Sequence, residues 1–217
     1  MERFFVLDKF NTWYDWGLIV TAKDVTPPEP KTNYVELDGM SGTLDLSESL
    51  TGEVAYKDRT VTATFWTSEK TMVDRKILLQ NIVRALHGKK IKVIEPDDPY
   101  HYFYGRLKVK SASHFPAYLT FNVEITCEPW RYANEETERI VDLDGVETNV
   151  VIRNTGVKTL CPEITVSGSA TLTYKGASVA LTDGIYKISD IKLYQGYNIV
   201  TVNGNGTVTF TYREADL

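Results

Sequence analysis

From Tyr118 to Cys127 the chain alternates without a break. Leu119, Phe121, Val123, Ile125 and Cys127 fall on one side, and Tyr118, Thr120, Asn122, Glu124 and Thr126 on the other. Only a period of two segregates these sets, because successive side chains of a strand point to opposite faces of the pleat. The chain must therefore build a sheet with one buried face. Thr60–Trp66 repeats the pattern, with Val61, Ala63 and Phe65 opposed to Thr60, Thr62, Thr64 and Trp66. So does the C-terminus, where Val208, Phe210 and Tyr212 oppose Thr207, Thr209 and Thr211. A mainly β protein follows.

One segment departs from this period. Between Thr71 and Leu86, the residues Leu78, Leu79, Ile82, Val83 and Leu86 form a helical stripe. Thr71 can cap it, Asp74 sits in its first turn, and Gly88 stands just past its end. A single helix is expected here.

Around these elements the chain reads as strands and turns. Phe4–Val20, with Trp13, Tyr14 and Trp16, reads as strand, turn and strand. Pro27, Pro28 and Pro30 then forbid a central strand and favour a stiff, extended arm over Asp24–Lys31. Strand character resumes at Tyr34–Leu37, and Gly39-Met40-Ser41-Gly42 has hairpin-turn chemistry. Pro96-Asp97-Asp98-Pro99 is a turn before a strand carrying Tyr100, Tyr102 and Tyr104 on one face and Phe103, Leu107 and Val109 on the other.

Composition changes after Tyr132. Asn134-Glu135-Glu136-Thr137-Glu138 reads as an acidic linker, and all four tryptophans and all three histidines precede it. Beyond it, short strands are expected between turns at Asp144-Gly145, Ser167-Gly168, Lys175-Gly176, Asp183-Gly184 and Asn203-Gly204-Asn205-Gly206, with Asn203-Gly204 read as a type I′ hairpin. The expectation is two β-sandwich domains, residues 1–133 with one helix and residues 134–217, divided at 133–138.

No catalytic constellation is legible, so the chain is read as a non-enzyme without cofactor or metal. Asp97, Asp98 and His101 are the densest polar cluster, and turn chemistry accounts for them. Cys127 and Cys161 are far apart, and His87, His101 and His114 are scattered, unlike a zinc site. Both cysteines read as small buried hydrophobes, and a disulfide between them is not required. Formal net charge is −5 with pI near 5.3, which argues against tight nucleic-acid binding. No signal segment and no membrane-spanning run is read. The Tyr100, Tyr102 and Tyr104 row is open to two readings, a stacking stripe for a sugar or protein partner and ordinary outward-facing strand tyrosines. The Lys89, Lys90 and Lys92 cluster is read as helix-end complementation plus a solvated strand end.

The order of several stretches resembles the distal tail (Dit) protein family of long-tailed phages that infect Gram-positive bacteria. They are Val35–Asp45 followed by Tyr56–Val61, the helix end Leu86–Lys90 with Pro99–Leu107, Phe121–Tyr132, and Gly196–Val202 with Val208–Arg213. The resemblance implies a tail-tube-like N-terminal domain that closes into a ring of six subunits, and a galectin-like C-terminal domain at its periphery. It implies a structural hub at the virion tail tip, made in the host cytoplasm, with DNA passing through the lumen. The partners it implies are the tail tube protein, a tail-associated fibre or lysin protein, and receptor-binding or baseplate proteins. The ring surface is expected in the first domain, with Val35, Leu37 and Met40 beside the proline-rich arm as candidate interface residues. A carbohydrate-binding, lectin-like protein is the alternative. Against it, residues 134–217 contain no Trp, the best stacking platform, and no His.

Overall fold

The structure is a computed structural model that describes residues 4–49, 52–68 and 71–217. The chain forms two compact units, residues 1–131 with 217, and residues 132–216.

The first unit contains β1 (Val6–Leu7), β2 (Phe10–Asn11), β3 (Ile19–Val25), β4 (Tyr34–Glu36), β5 (Thr43–Asp45), β6 (Arg59–Thr67), α1 (Met72–Leu86), β7 (Lys90–Glu95), β8 (Asp98–His114) and β9 (Leu119–Cys127). Seven strands form an antiparallel sheet in the order β2-β1-β7-β8-β9-β6-β3, and β4 with β5 makes a separate hairpin. The two sharpest alternations in the sequence, β6 and β9, are neighbours within it. Val61 pairs with Ile125, Ala63 with Val123 and Phe65 with Phe121. Their apolar sides are buried together with Phe103 and Leu107 of β8. Each large apolar side chain taken out of water stabilises the unit by roughly 1.5–3 kcal/mol.

Helix α1 covers this core, with Ile82 and Leu86 buried and Leu78 and Leu79 packed alongside. Its start is a capping box. The Thr71 hydroxyl accepts from the Asp74 N–H at 3.2 Å, and the Asp74 carboxylate accepts from the Thr71 N–H at 3.0 Å. It ends at His87, and Gly88 takes φ +78° there, where a side chain would be strained. The helix also carries Arg75, which is buried and donates to the Phe115 and Pro116 carbonyls at 3.2 and 2.7 Å. The apolar stripe gave no sign of it.

The strand β10 (Arg131–Ala133) begins at the division. The second unit continues with β11 (Thr137–Asp144), β12 (Thr148–Asn154), β13 (Glu163–Tyr174), β14 (Ala177–Lys187), β15 (Gly196–Tyr212) and β16 (Ala215–Asp216). The expected acidic linker is thus short, because β11 already begins at Thr137. The sheet order is β11-β15-β13-β14, and β12 also pairs with β15.

Three expected turns are not turns. Ser167-Gly168 lies within β13, Asp183-Gly184 within β14, and Asn203-Gly204-Asn205-Gly206 within β15, so these strands are long rather than short. Only Asp144-Gly145 and Lys175-Gly176 separate strands. The glycines inside β15 stand where backbones nearly touch. A Cβ on Gly204 would lie 2.0 Å from the Ser169 carbonyl oxygen, and one on Gly206 2.0 Å from that of Ser167. The first half of β15 pairs with β12 and the second half with β11. Val200 and Val202 from one half share a single core with Val208, Phe210 and Tyr212 from the other. One sheet therefore folds over itself at the glycines, and the Gly signal marks bends in continuous strands.

Candidate functional site

The chain leaves the first sheet at Val25 and re-enters it at Arg59. Between them it forms a two-stranded arm. Its rungs are Thr26 N–H to Thr60 O at 3.0 Å, Lys57 N–H to Glu29 O at 2.8 Å, Lys31 N–H to Ala55 O at 2.7 Å and Leu46 N–H to Asn33 O at 2.8 Å. The pairs Tyr34–Asp45, Val35–Leu44 and Glu36–Thr43 follow, and Gly39 and Gly42, at φ +84° and +85°, turn the chain at the tip. The prolines sit at the root of the arm, where a preset φ lowers the entropy lost on ordering it. Tyr56, also at the root, packs edge-on against Trp130, with ring centroids 5.7 Å apart.

Among the described residues, none from Thr26 to Lys57 belongs to the hydrophobic core. The structure puts all three candidate interface residues on this arm. Leu37 and Met40 are each 48 % exposed, and Val35 is half-buried. Directly opposite the half-buried Val35 stands the exposed Leu44, and the two project from the same face. Leu44 is absent from the sequence-based set. The alternation Thr43-Leu44-Asp45 against Tyr34-Val35-Glu36 carried the signal, but only the register makes them neighbours. A two-stranded ribbon with apolar side chains in water is marginal by itself.

A second surface lies on the outer face of β7 and β8. The row Tyr100, Tyr102 and Tyr104 does face outward, and lysines of β7 cover part of it. Lys92 Nζ lies 4.4 Å from the Tyr102 ring centre and Lys90 Nζ 4.5 Å from that of Tyr104. Lys90 also pairs with Glu128 at 2.6 Å, and this hydrogen bond holds its ammonium above the usual pKa. Of the three lysines read as helix-end complementation and a solvated strand end, Lys90 and Lys92 are thus part of an aromatic–cationic face. Beside it runs a groove of about 670 Å³ where Lys90, Tyr104, Arg106 and Lys108 stand with Asp58, Glu124 and Glu128.

The Asp97, Asp98 and His101 cluster is an ion-pair network at the β7–β8 turn. His101 Nδ1 lies 2.8 Å from Asp98, and Arg131 Nη1 lies 3.1 Å from the same carboxylate. Burial alone would raise the Asp98 pKa, but the His101 hydrogen bond and the nearby Arg131 charge outweigh it and hold the carboxyl below its ordinary value. Lys23 reaches Glu95 at 2.5 Å and Asp97 at 2.8 Å, fastening β3 to this turn. Burial works against its charge, yet these two carboxylates raise its pKa. The cluster ties strands together. Elsewhere, His87 Nδ1 accepts from the Val109 N–H at 3.1 Å. Cys127 and Cys161 are both free thiols. Among the described residues, no group of three or more His, Cys, Asp or Glu is placed to hold a metal ion, and no helix is long and apolar enough to cross a membrane.

No protein-family model and no curated protein matches this chain. Among solved structures, the Dit (gp 19.1) protein of phage SPP1 superposes with a TM-score of 0.69 over 97 % of this chain and 98 % of its own, at 15 % identity. The chain has the fold of a phage Dit protein. The SPP1 protein is described as a paradigm of the hub adsorption apparatus in Gram-positive-infecting phages. The baseplate of phage P2, in its activated conformation with Ca, matches with a TM-score of 0.43 at 8 % identity, over 99 % of this chain and 98 % of that one. The Dit fold spans both units, so the second unit is part of the shared architecture. At this identity the likeness lies in the backbone, and motif order was its only trace in the sequence.

Proposed function

We propose that this chain is the structural hub of a phage tail tip, a subunit of a hexameric ring that joins the tail tube to baseplate or receptor-binding proteins. One observation carries the reading. The Dit fold runs through 97 % of the chain, and the first unit adds an arm with Leu37, Met40 and Leu44 turned to solvent. Ring closure needs a heterologous contact, in which one face of each subunit meets a different face of the next. An arm outside its own core suits that role. Residues 1–133 would supply the ring and residues 134–217 its periphery, as a galectin-like module that docks other tail proteins. The chain acts by assembly and not by catalysis. DNA passes through the lumen without being held, in keeping with 17 Lys and Arg against 18 Asp and Glu in the first 133 residues.

Native mass spectrometry and negative-stain microscopy of the full chain, over a concentration series with and without the tail tube protein, test this. Closed rings of uniform subunit number are expected. A chain that stays monomeric under all these conditions and is absent from purified virions would refute the hub.

A further inference from the structure

The arm and the β7–β8 face carry opposite charge. Between Lys31 and Lys57 there is no Lys or Arg, while Glu36, Asp38, Asp45, Glu48 and Glu53 all lie there. The outer β7–β8 face gathers Lys90, Lys92, Arg106, Lys108 and Lys110. Its acids are partly neutralised in place, Glu128 by Lys90 at 2.6 Å and Glu124 by Lys110 at 2.9 Å. Arg106 is held by the Gly88 carbonyl. Lys108, on the rim of the groove, is exposed and has no ion-pair partner among the described residues.

We infer that the groove beside Tyr104 and Lys108 receives the acidic arm tip of a second copy of this chain. The chemistry matches on both counts. Leu37 and Met40 are exposed apolar side chains at the tip, and the groove offers the exposed Tyr104 ring, with a thioether well suited to an aromatic edge. Glu36 and Asp38 flank Leu37 and meet Lys108 and Lys92, so opposite charge fixes the pairing and disfavours a basic rival. The occupant is not the chain's own arm, whose tip is solvent-exposed. The arm has the reach. From Thr26 to Gly39 an extended chain spans roughly 40 Å, more than the width of the seven-stranded sheet. This assignment rests on the hub reading for its biological setting and adds to it the receiving surface.

Two variants of the full chain, Met40→Cys and Lys108→Cys, each also carrying Cys161→Ser, are mixed and oxidised. Ile199→Cys in place of Lys108→Cys is the control. The expected product is a covalent heterodimer of the Met40→Cys and Lys108→Cys chains, with loss of that product when Ile199→Cys is substituted. High salt should diminish it. Charge exchange provides a second readout. Asp38→Lys or Lys108→Glu alone lowers particle mass, and the two together restore it. Cross-linking no better than the control, or single charge reversals without effect on rings that do form, would overturn the groove while leaving the hub standing. Cross-linking without closed rings would support the groove and count against self-assembly of the hub.

Discussion

Gly105 and Cys127 face each other across β8 and β9, and the thiol fills the space that a Gly105 side chain would need. A Cβ at Gly105 would lie 2.6 Å from Cys127 Sγ and 2.6 Å from the Thr126 carbonyl oxygen. Gly105→Ala should therefore destabilise the chain by about 1–3 kcal/mol through overpacking. Adding Cys127→Ala should return part of the loss, because it removes the softer of the two obstacles. Denaturant melts of the two single variants and the double variant give the coupling, and strict additivity would count against the contact.

The Cys127 thiol is fully buried, and desolvation pushes its pKa up from 9.0 to about 12 despite the nearby Arg59 charge. The folded chain keeps the proton that the unfolded chain loses above pH 9. Stability therefore falls as pH rises from about 9 to 12, and Tyr174 and Tyr212, also raised by burial, add in the same sense. Cys127→Ala should flatten part of this alkaline slope. In the native chain at about pH 8, a thiol reagent should label Cys161, which is partly exposed, and reach Cys127 only on unfolding.

Gly204 and Gly206 sit at φ +151° and +114° inside β15, each against a carbonyl oxygen of β13. Gly204→Ala or Gly206→Ala should cost about 3 kcal/mol or more, because both backbone strain and a backbone clash must be relieved. The loss should appear as selective hydrogen exchange in residues 132–216. An unchanged melting temperature would show that the strands do not bend there.

Arg59 begins β6 on its core side. It is 5 % exposed, with its guanidinium 5.1 Å from the Phe103 ring centre and its Nε and Nη2 without hydrogen-bond partners. Burial lowers its pKa. Arg59→Met nearly keeps the length and removes the unmet donors, so it should raise stability by about 1–3 kcal/mol. A clear loss in thermal denaturation would mean that the cation is stabilising where it stands.

Leu37→Asp with Met40→Ser should abolish ring formation at concentrations where the unaltered chain assembles. Its melting temperature should change little, because neither side chain is in the core. Light scattering and calorimetry on the same sample separate the two effects. A large drop in melting temperature would return these residues to ordinary packing.

Local period is written in neighbouring residues. Val61, Ala63 and Phe65, Leu119 to Cys127, the Thr71 cap and the Gly88 stop are all legible in the chain alone, because alternation and capping involve residues a few positions apart. Features that depend on distant partners are not. A glycine looks the same in a tight turn and at a close strand approach, so Gly168, Gly204 and Gly206 read as turns, and only strand pairing tells the two apart. Arg59 and Arg75 look like surface cations in sequence, and only the packing around them makes them interior. Leu44 joined Val35 through register alone. The Tyr104 groove exists because β7 brings Lys90 over a ring that the chain places fourteen residues later. Side-chain period is a short-range property, whereas burial and charge pairing are set by which strands the fold brings together.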